Sequence, residues 1–504
     1  MERRIRLFPK IELRADQIVL IIVLSSGLLL RFYFYSLNRS LHFDEALLGL
    51  NIVQRSLGEL LQPLDYYQSA PVGFLWLEKI PAILFSPQDY VLRIVPLVTG
   101  SLALWMMYFV GKQFSRSFGI IIILILLALS WKLIYYASEL KQYSSDVFWT
   151  AVLLFLFGKV VASRAKGKDL ILLGVGGVAA FWCSHPSLFV LAAMGITLSI
   201  QIALDWKGRD RFVGLITMGI VWGLNVIALY VISLRHYAGS DFLQTFWKDY
   251  FAPAITLDHL GWYSSNLLYM IQDPLGLAPN IVSVGLICLG AFSLAVRSRP
   301  HFLVLALTLL MTLAASSLKL YPFFSRFLLF LVPVMYIFIA EGMVYIWTSL
   351  SKLNKPMAMI ATILLTVVIL YKPIQVVYRN VRAPSRGEHI KPVLSRLKRY
   401  YRETDVLYVY CGAKPAFEFY APFYGLDAAH AVFGIWARKE PEKYLADVDK
   451  LRGHERVWFL FSHNCFWCKV NEEAYIVEHL HQIGRLKKKF SGENSALYLF
   501  DLSP

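Results

Sequence analysis

The sequence predicts a mainly α, polytopic transmembrane protein of about eleven spans, followed by a small C-terminal α/β domain. Three observations carry that expectation. The 504 residues are 57% hydrophobic and their mean hydropathy is +0.53, beyond the range of water-soluble domains. Apolar runs of about 20 residues, the length that crosses a bilayer as a helix, recur along the chain. The 50 Lys and Arg, against 34 Asp and Glu, gather at the ends of those runs, the pattern of orientation signals and headgroup contacts. No glycine-rich phosphate loop or nucleic-acid signature accompanies them.

In chain order, Arg3, Arg4, Arg6, Lys10 and Arg14 precede an apolar run from Gln17 to Tyr35 that lacks a small-residue cleavage site. A retained first span with a cytoplasmic N-terminus is expected. An apolar stripe from Ala46 to Leu61 reads as a helix on the outer membrane face. The segment Pro71–Phe85 is short and contains Glu78, Lys79 and Pro81, which favours a second interfacial helix over a span. Further spans are expected near 91–110, 118–137, 146–162, 169–183, 186–204, 212–234, 280–296, 301–318, 326–349 and 356–374. Alternating them places Gly111–Ser117, Ser163–Lys168, Asp205–Arg211, Arg297–Pro300 and Ser351–Pro356 inside, and each loop holds at least two Lys or Arg.

The parity sends the chain outward after the last span. Residues 1–374 therefore read as a membrane domain with a first outer loop at 38–90, and 375–504 as an extracytoplasmic domain. Strand-like runs at Val406–Tyr410, Val457–Phe461 and Ala496–Phe500 alternate there with helix-like stretches at 414–424 and 471–483. Cys411, Cys465 and Cys468 would share that oxidising space, where two of the three can form a disulfide. Cys465-Phe-Trp-Cys468 has the spacing of a redox or metal pair but no matching second pair.

Polar residues that break the apolar pattern fall mostly on the outer side. Asp44 and Glu45 follow the first span; Gln68, Glu78 and Arg93 precede the second; Glu139, Lys141, Tyr143 and Asp146 lie between the third and fourth. His185 occupies the turn between the fifth and sixth, and Lys319, Tyr321, Ser325 and Arg326 lie between the ninth and tenth. Carboxylates converging with Arg and Lys at one membrane face suit an anionic, lipid-linked substrate, because the cations bind phosphate while a carboxylate accepts a proton.

Plainer readings stand beside these. Asp44 can cap the helix that follows it, and Arg93 and Lys141 can snorkel to headgroups. His185 can simply hydrogen-bond within its turn. Glu139 and Lys141, two residues apart, do not face each other on a helix. Aromatic residues of the 235–279 loop, Trp247 and Tyr250 among them, suit a sugar-stacking surface or an interfacial belt equally well. Asp44 and Glu45 offer oxygen ligands to a divalent metal, but no further convincing oxygen set accompanies them, so such a metal is possible without being favoured, and no other cofactor is indicated.

The layout of the first 375 residues resembles the polytopic GT-C glycosyltransferases, in particular the family 39-like group related to protein O-mannosyltransferases and lipid A aminoarabinose transferases. The resemblance rests on F-D-E-A (43–46), Y-Y-Q-S-A-P-V-G-F-L (66–75), L-R-I-V-P (92–96), E-L-K-Q-Y-S-S-D (139–146) and Y-P-F-F-S-R-F-L-L-F-L-V-P (321–333), in this order. It implies a GT-C-type fold and an inverting transfer of a hexose or pentose from a polyprenyl-phosphate donor to an acceptor hydroxyl at the extracytoplasmic face, with the bacterial inner membrane favoured. Asp44 would then be the base and Glu45 the motif's second acid. Arg93, Lys141 and Arg326 would bind the donor phosphate, while Gln68, Glu78, Glu139, Tyr143, His185 and Tyr321 are candidates for substrate contact. Aminoarabinose transferases carry E-K-P-P where this chain offers Gln68-Ser69-Ala70-Pro71, so donor and acceptor can both differ from theirs, and Glu78 is no assured substitute. The rival readings are a lipid or glycan transporter, which calls for broken helices at mid-membrane and related halves, and a noncatalytic envelope assembly protein.

Overall fold

The structure, a computed structural model, describes residues 15–116, 118–206, 208–254, 256–464 and 470–504. The basic residues from Arg3 to Arg14, Cys465 and Cys468 lie outside the described residues. The membrane part holds α1 (Ala15–Ser36), α2 (Phe43–Gln54), α3 (Val72–Leu84), α4 (Ile94–Phe114), α5 (Gly119–Leu129), α6 (Trp131–Tyr136), α7 (Tyr143–Ala162), α8 (Gly167–Cys183) and α9 (Ser187–Leu204). It continues with α10 (Arg209–Leu229), α11 (Arg235–Ala238), α12 (Asp241–Phe246), α13 (Leu260–Gln272), α14 (Ile281–Arg297), α15 (Arg299–Ser317), α16 (Val332–Leu350) and α17 (Lys355–Arg382).

A helix lies at every expected span, and among the described residues eight are long and apolar enough to cross a membrane, with Gly119–Leu129 and Ile281–Arg297 as shorter apolar helices. The third span departs from expectation. It breaks at Ser130, whose extended backbone separates α5 from α6. The break frees the Leu127 carbonyl, and the buried Arg31 guanidinium donates to it at 3.2 Å, satisfying a helix-end acceptor where water is scarce.

Burial separates the centre of the bundle from its rim. In the segment Ser325–Leu350, 94% of the most apolar window is buried, against 17% for the first and last long helices. Lipid therefore faces residues such as Leu29, Phe32, Leu364 and Val367, which are exposed and apolar. The central α16 packs backbone-close on α14: a Cβ at Gly290 would strike the Phe338 carbonyl, and one at Gly342 the Leu286 carbonyl. Without a hydrophobic force between helices in lipid, such close approach supplies the packing energy. One end of this centre is pinned by Glu341, which pairs with Arg297 at 2.8 Å and accepts from Ser115 at 2.7 Å.

After α17 the chain forms α18 (Lys391–Tyr400), β1 (Val406–Val409), α19 (Lys414–Tyr420), β2 (Ala431–Phe433), α20 (Glu442–Val448), β3 (Val457–Ser462), α21 (Glu472–Ile483), β4 (Arg485–Gly492) and β5 (Ser495–Asp501). The sheet order is β2-β1-β3-β5-β4. β1, β2 and β3 run parallel, while β5 is antiparallel to β3 and to β4.

Because both faces of the central strands are covered, they read as continuous apolar runs. Tyr408, Phe459 and Phe500 face one core with Tyr444 of α20 and Ile476 of α21. Leu407, Trp458, Leu460 and Leu499 face a second core that also contains Leu41, Leu48 and Ile52 of the first loop and α2, Phe74 of α3, and Leu394 and Phe417. The C-terminal sheet and the 38–90 loop therefore share one core, although more than 300 residues separate them in sequence.

Candidate active site

Helix α2 begins at Phe43, with His42 at its N-cap, so Asp44 and Glu45 occupy its first turn, where negative charge complements the free N–H groups. The helix ends at Gln54 rather than near Leu61, because Arg55 is extended and Asn51 turns the chain, donating to Leu47 O and accepting from Asp65 N.

The two acids then part company. Glu45 supplies the capping contact, accepting from His42 N at 3.0 Å. It also accepts from Leu140 N at 2.7 Å and from Arg93 Nε and Nη2 at 2.8 and 2.7 Å. Both side chains of this pair are 2% exposed. Arg93 completes its guanidinium by donating to Arg39 O and Ser40 O. Burial raises the Glu45 carboxyl, but the Arg93 charge and hydrogen bonds outweigh it and hold the carboxyl below its ordinary value. Expected as a catalytic acid and a phosphate ligand, these residues are instead a closed clamp joining the first loop, the start of the second span and the 137–142 loop. All four Glu45 acceptor contacts are occupied, which also removes it as an open metal ligand.

Asp44 points the other way. Its Oδ2 meets Arg326 Nη1 at 3.0 Å, with both side chains about one-third exposed. Burial pushes the Asp44 carboxyl up, but the charges of Lys141, Arg326 and His42 prevail and hold it below its ordinary 3.8. Arg326 is ringed by Tyr143, Trp247 and Phe327, each with its ring centre within 5.9 Å of the guanidinium carbon. It sits at the start of the central helical segment, next to Ser325, whose backbone adopts φ 31°. That turn is held by Asp273, which accepts from Ser325 Oγ at 2.9 Å and pairs with Lys132 at 3.1 Å.

Lys141 is buried beside Asp44 and donates to Gln68 Oε1 at 2.9 Å. Burial lowers its ammonium below the ordinary value despite the Asp44 charge. The Gln68 loop has two successive left-handed residues, Tyr66 at φ 61° and Tyr67 at φ 54°, and Tyr67 stacks on Phe242 at 4.3 Å. Strained backbone of this kind persists where surrounding structure over-determines it. The 235–279 loop thus reaches the site from one side, with Trp247 on Arg326.

The remaining candidates divide. Tyr143 belongs to the site through Arg326. Tyr321 supports it from below, donating to Phe327 O at 2.9 Å. Glu139 is buried and accepts from Tyr135 at 2.7 Å; burial and the Glu45 charge raise its carboxyl. Glu78 is a correction: fully buried in α3, with no hydrogen-bond partner on either oxygen among the described residues, its carboxyl is pushed well up by burial and is not presented to a ligand. His185 also stands apart, with Nε2 unpartnered among the described residues and its imidazole pushed down to about 4 by burial.

Sequence reasoning missed a group adjoining Asp44. Glu388 Oε1 lies 3.0 Å from His42 Nε2 and 2.5 Å from His463 Nδ1, and its Oε2 accepts from Phe43 N. The one local signal was His42 directly before the acidic motif; Glu388 and His463 lie in irregular segments that no periodicity marks.

No family model matches the chain, and no curated protein matches it. Solved structures do. ArnT from Cupriavidus metallidurans in the apo state matches with a TM-score of 0.55 and 11% identity, covering 96% of this chain and 98% of that one. The same protein bound to undecaprenyl phosphate matches at 0.52 and 11% identity, covering 95% and 97%. The chain has the GT-C fold. An oligosaccharyltransferase from Archaeoglobus fulgidus matches at 0.49 and 13% identity, covering 87% of this chain and 67% of that one. Within the GT-C fold, Asp44, Lys141, Gln68 and Arg326 meet at the end of the bundle that carries the C-terminal sheet.

Proposed function

We propose that the protein is an inverting glycosyltransferase of the extracytoplasmic membrane face, moving a sugar from a polyprenyl-phosphate donor to an acceptor hydroxyl. The observation that carries the reading is the Asp44 carboxylate, ionised and partly open to solvent between Arg326 and Lys141. One anion and two cations at a membrane face provide what a single displacement needs. The acceptor hydroxyl gives its proton to Asp44 as its oxygen attacks the anomeric carbon; the bond to the phosphate oxygen breaks on the opposite face, and the phosphate leaves with the electron pair. Arg326 and Lys141 stabilise the charge that grows on the departing phosphate, a contribution of about 3 kcal/mol per well-placed donor. A phosphate leaves without protonation by a second acid, so the paired carboxylates of glycosidases are not required. The aromatic surface of Tyr67, Phe242 and Trp247 offers apolar faces to a sugar or prenyl chain.

The orientation that places this end outside is the one the positively charged short loops favour. The test is transfer by the purified protein from a panel of radiolabelled polyprenyl-phosphate sugars to a cell-envelope acceptor fraction. Label should reach the acceptor with the parent and fail to do so with Asp44→Asn; equal transfer by both would remove Asp44 from the chemistry.

A further inference from the structure

Beside Asp44, but separate from it, three side chains from distant parts of the chain aim their donor atoms at one point. His42 Nε2, Glu388 Oε1 and His463 Nδ1 all lie within 4.8 Å of one another. They come from the N-cap of α2, the connection after α17 and the end of β3. Each is held from behind. Phe43 N donates to the second oxygen of Glu388 at 2.9 Å, fixing the carboxylate plane. The His463 ring lies flat on Phe43 at 4.2 Å and 13°, and its carbonyl accepts from Arg438 at 3.0 Å. His463 reaches this position through a left-handed backbone, φ 55°, a conformation that a non-glycine residue keeps only where its surroundings impose it. The His42 ring stands edge-on to His463, 5.7 Å away at 86°.

We infer that His42, Glu388 and His463 form a binding site for a divalent transition metal of the zinc type. Two imidazoles and one carboxylate are the donor set that zinc takes with three protein ligands, leaving a fourth position for water, and His42 is 43% exposed on its open side. Ligands about 2.1 Å from such an ion lie about 3.0–3.5 Å from each other. The His42 to Glu388 separation of 3.0 Å is already in that range, and the 2.5 Å separation to His463 opens to it by a shift of roughly half an ångström. The backbone amide on Glu388 and the ring stacked on His463 are outer supports of the kind that orient metal ligands. Binding displaces the imidazole protons at the two donor nitrogens to solvent. The ion would fasten the C-terminal domain to the N-terminus of α2, two residues from Asp44, making His42 a positioning residue for the candidate base. The inference does not depend on the proposed transfer reaction, because it is read from metal content.

The test uses the full-length protein in detergent, stripped with EDTA, reloaded with zinc, dialysed and assayed for metal by mass spectrometry. The parent and Asp44→Asn should each retain about one zinc per chain. His42→Ala, Glu388→Gln and His463→Ala should each retain less than about a tenth of that, and the zinc-dependent rise in Tm seen with the parent should be absent from all three. Cobalt reloading of the parent, with the visible absorption of a nitrogen and oxygen site, supplies a result that needs no variant to fold. A parent that retains no zinc overturns the inference, as does full zinc retention by the three variants. Loss of zinc in Cys465→Ser/Cys468→Ser, with retention in His42→Ala, overturns it by assigning the metal to the cysteine pair.

Discussion

Neighbouring acids in one turn of helix have opposite duties. Asp44 faces solvent and two cations, and Glu45 faces the interior and Arg93. Replacing Asp44 by Asn removes the proton acceptor without changing shape, so transfer should fall by about 10³-fold or more, at unchanged melting temperature. Replacing Arg326 by Gln should lower kcat by roughly 10²-fold through loss of charge stabilisation. It should also move the acid limb of the pH profile. Arg326 and Lys141 depress the Asp44 carboxyl below 3.8, so the ionised base persists as pH falls below that value; with Arg326 gone the limb shifts to higher pH. An acid limb that stays in place would show that Arg326 does not act on Asp44. Glu45→Gln has a different signature. It leaves Arg93 charged and unpaired in a closed site, a change worth about 3–5 kcal/mol, and its effect should appear as lost folded yield and a lower Tm.

At the scale of elements, the site depends on where helices start, stop and touch. The break between α5 and α6 at Ser130 is stabilised by Arg31, and it turns Lys132 toward Asp273 and the Ser325 turn that presents Arg326. The contact of α14 with α16 determines where the central segment lies. Gly342→Ala forces a methyl against the Leu286 carbonyl, and should lower stability by about 1–3 kcal/mol or more, seen as a lower Tm in detergent, whereas Gly285→Ala, with open space around it, should leave it unchanged. Equal melting of the two variants would show that the close approach does not hold the bundle. β4 escaped sequence reasoning because its Arg485-Leu-Lys-Lys-Lys face reads as a solvated loop; it is the sheet's edge, where lysines discourage pairing with other chains. β3 and β5 were legible because both their faces are buried.

For the whole molecule, the shared core of the C-terminal sheet with α2 and α3 makes the two regions one stability unit at this end. A chain ending at Arg382 would leave Leu41, Leu48, Ile52 and Phe74 without their partners, so it is expected to aggregate or to lose transfer altogether; a soluble, active truncation would show that the sheet is dispensable. The sequence by itself determined the helical membrane architecture, the places of the expected spans and the α/β character of the tail, since these follow from hydropathy, charge at helix ends and apolar periodicity, all local along the chain. It also singled out Asp44, Lys141 and Arg326. What only the tertiary structure decided was which charges are open and which are used up. Arg93 and Arg326 look alike in sequence, yet one is closed on Glu45 and the other stands beside Asp44; Glu388 and His463 become neighbours of His42 only when the tail folds back on the first loop. The reason is physical: the state of an ionisable group is set by burial and by partners that lie far away in sequence, and no local pattern records either.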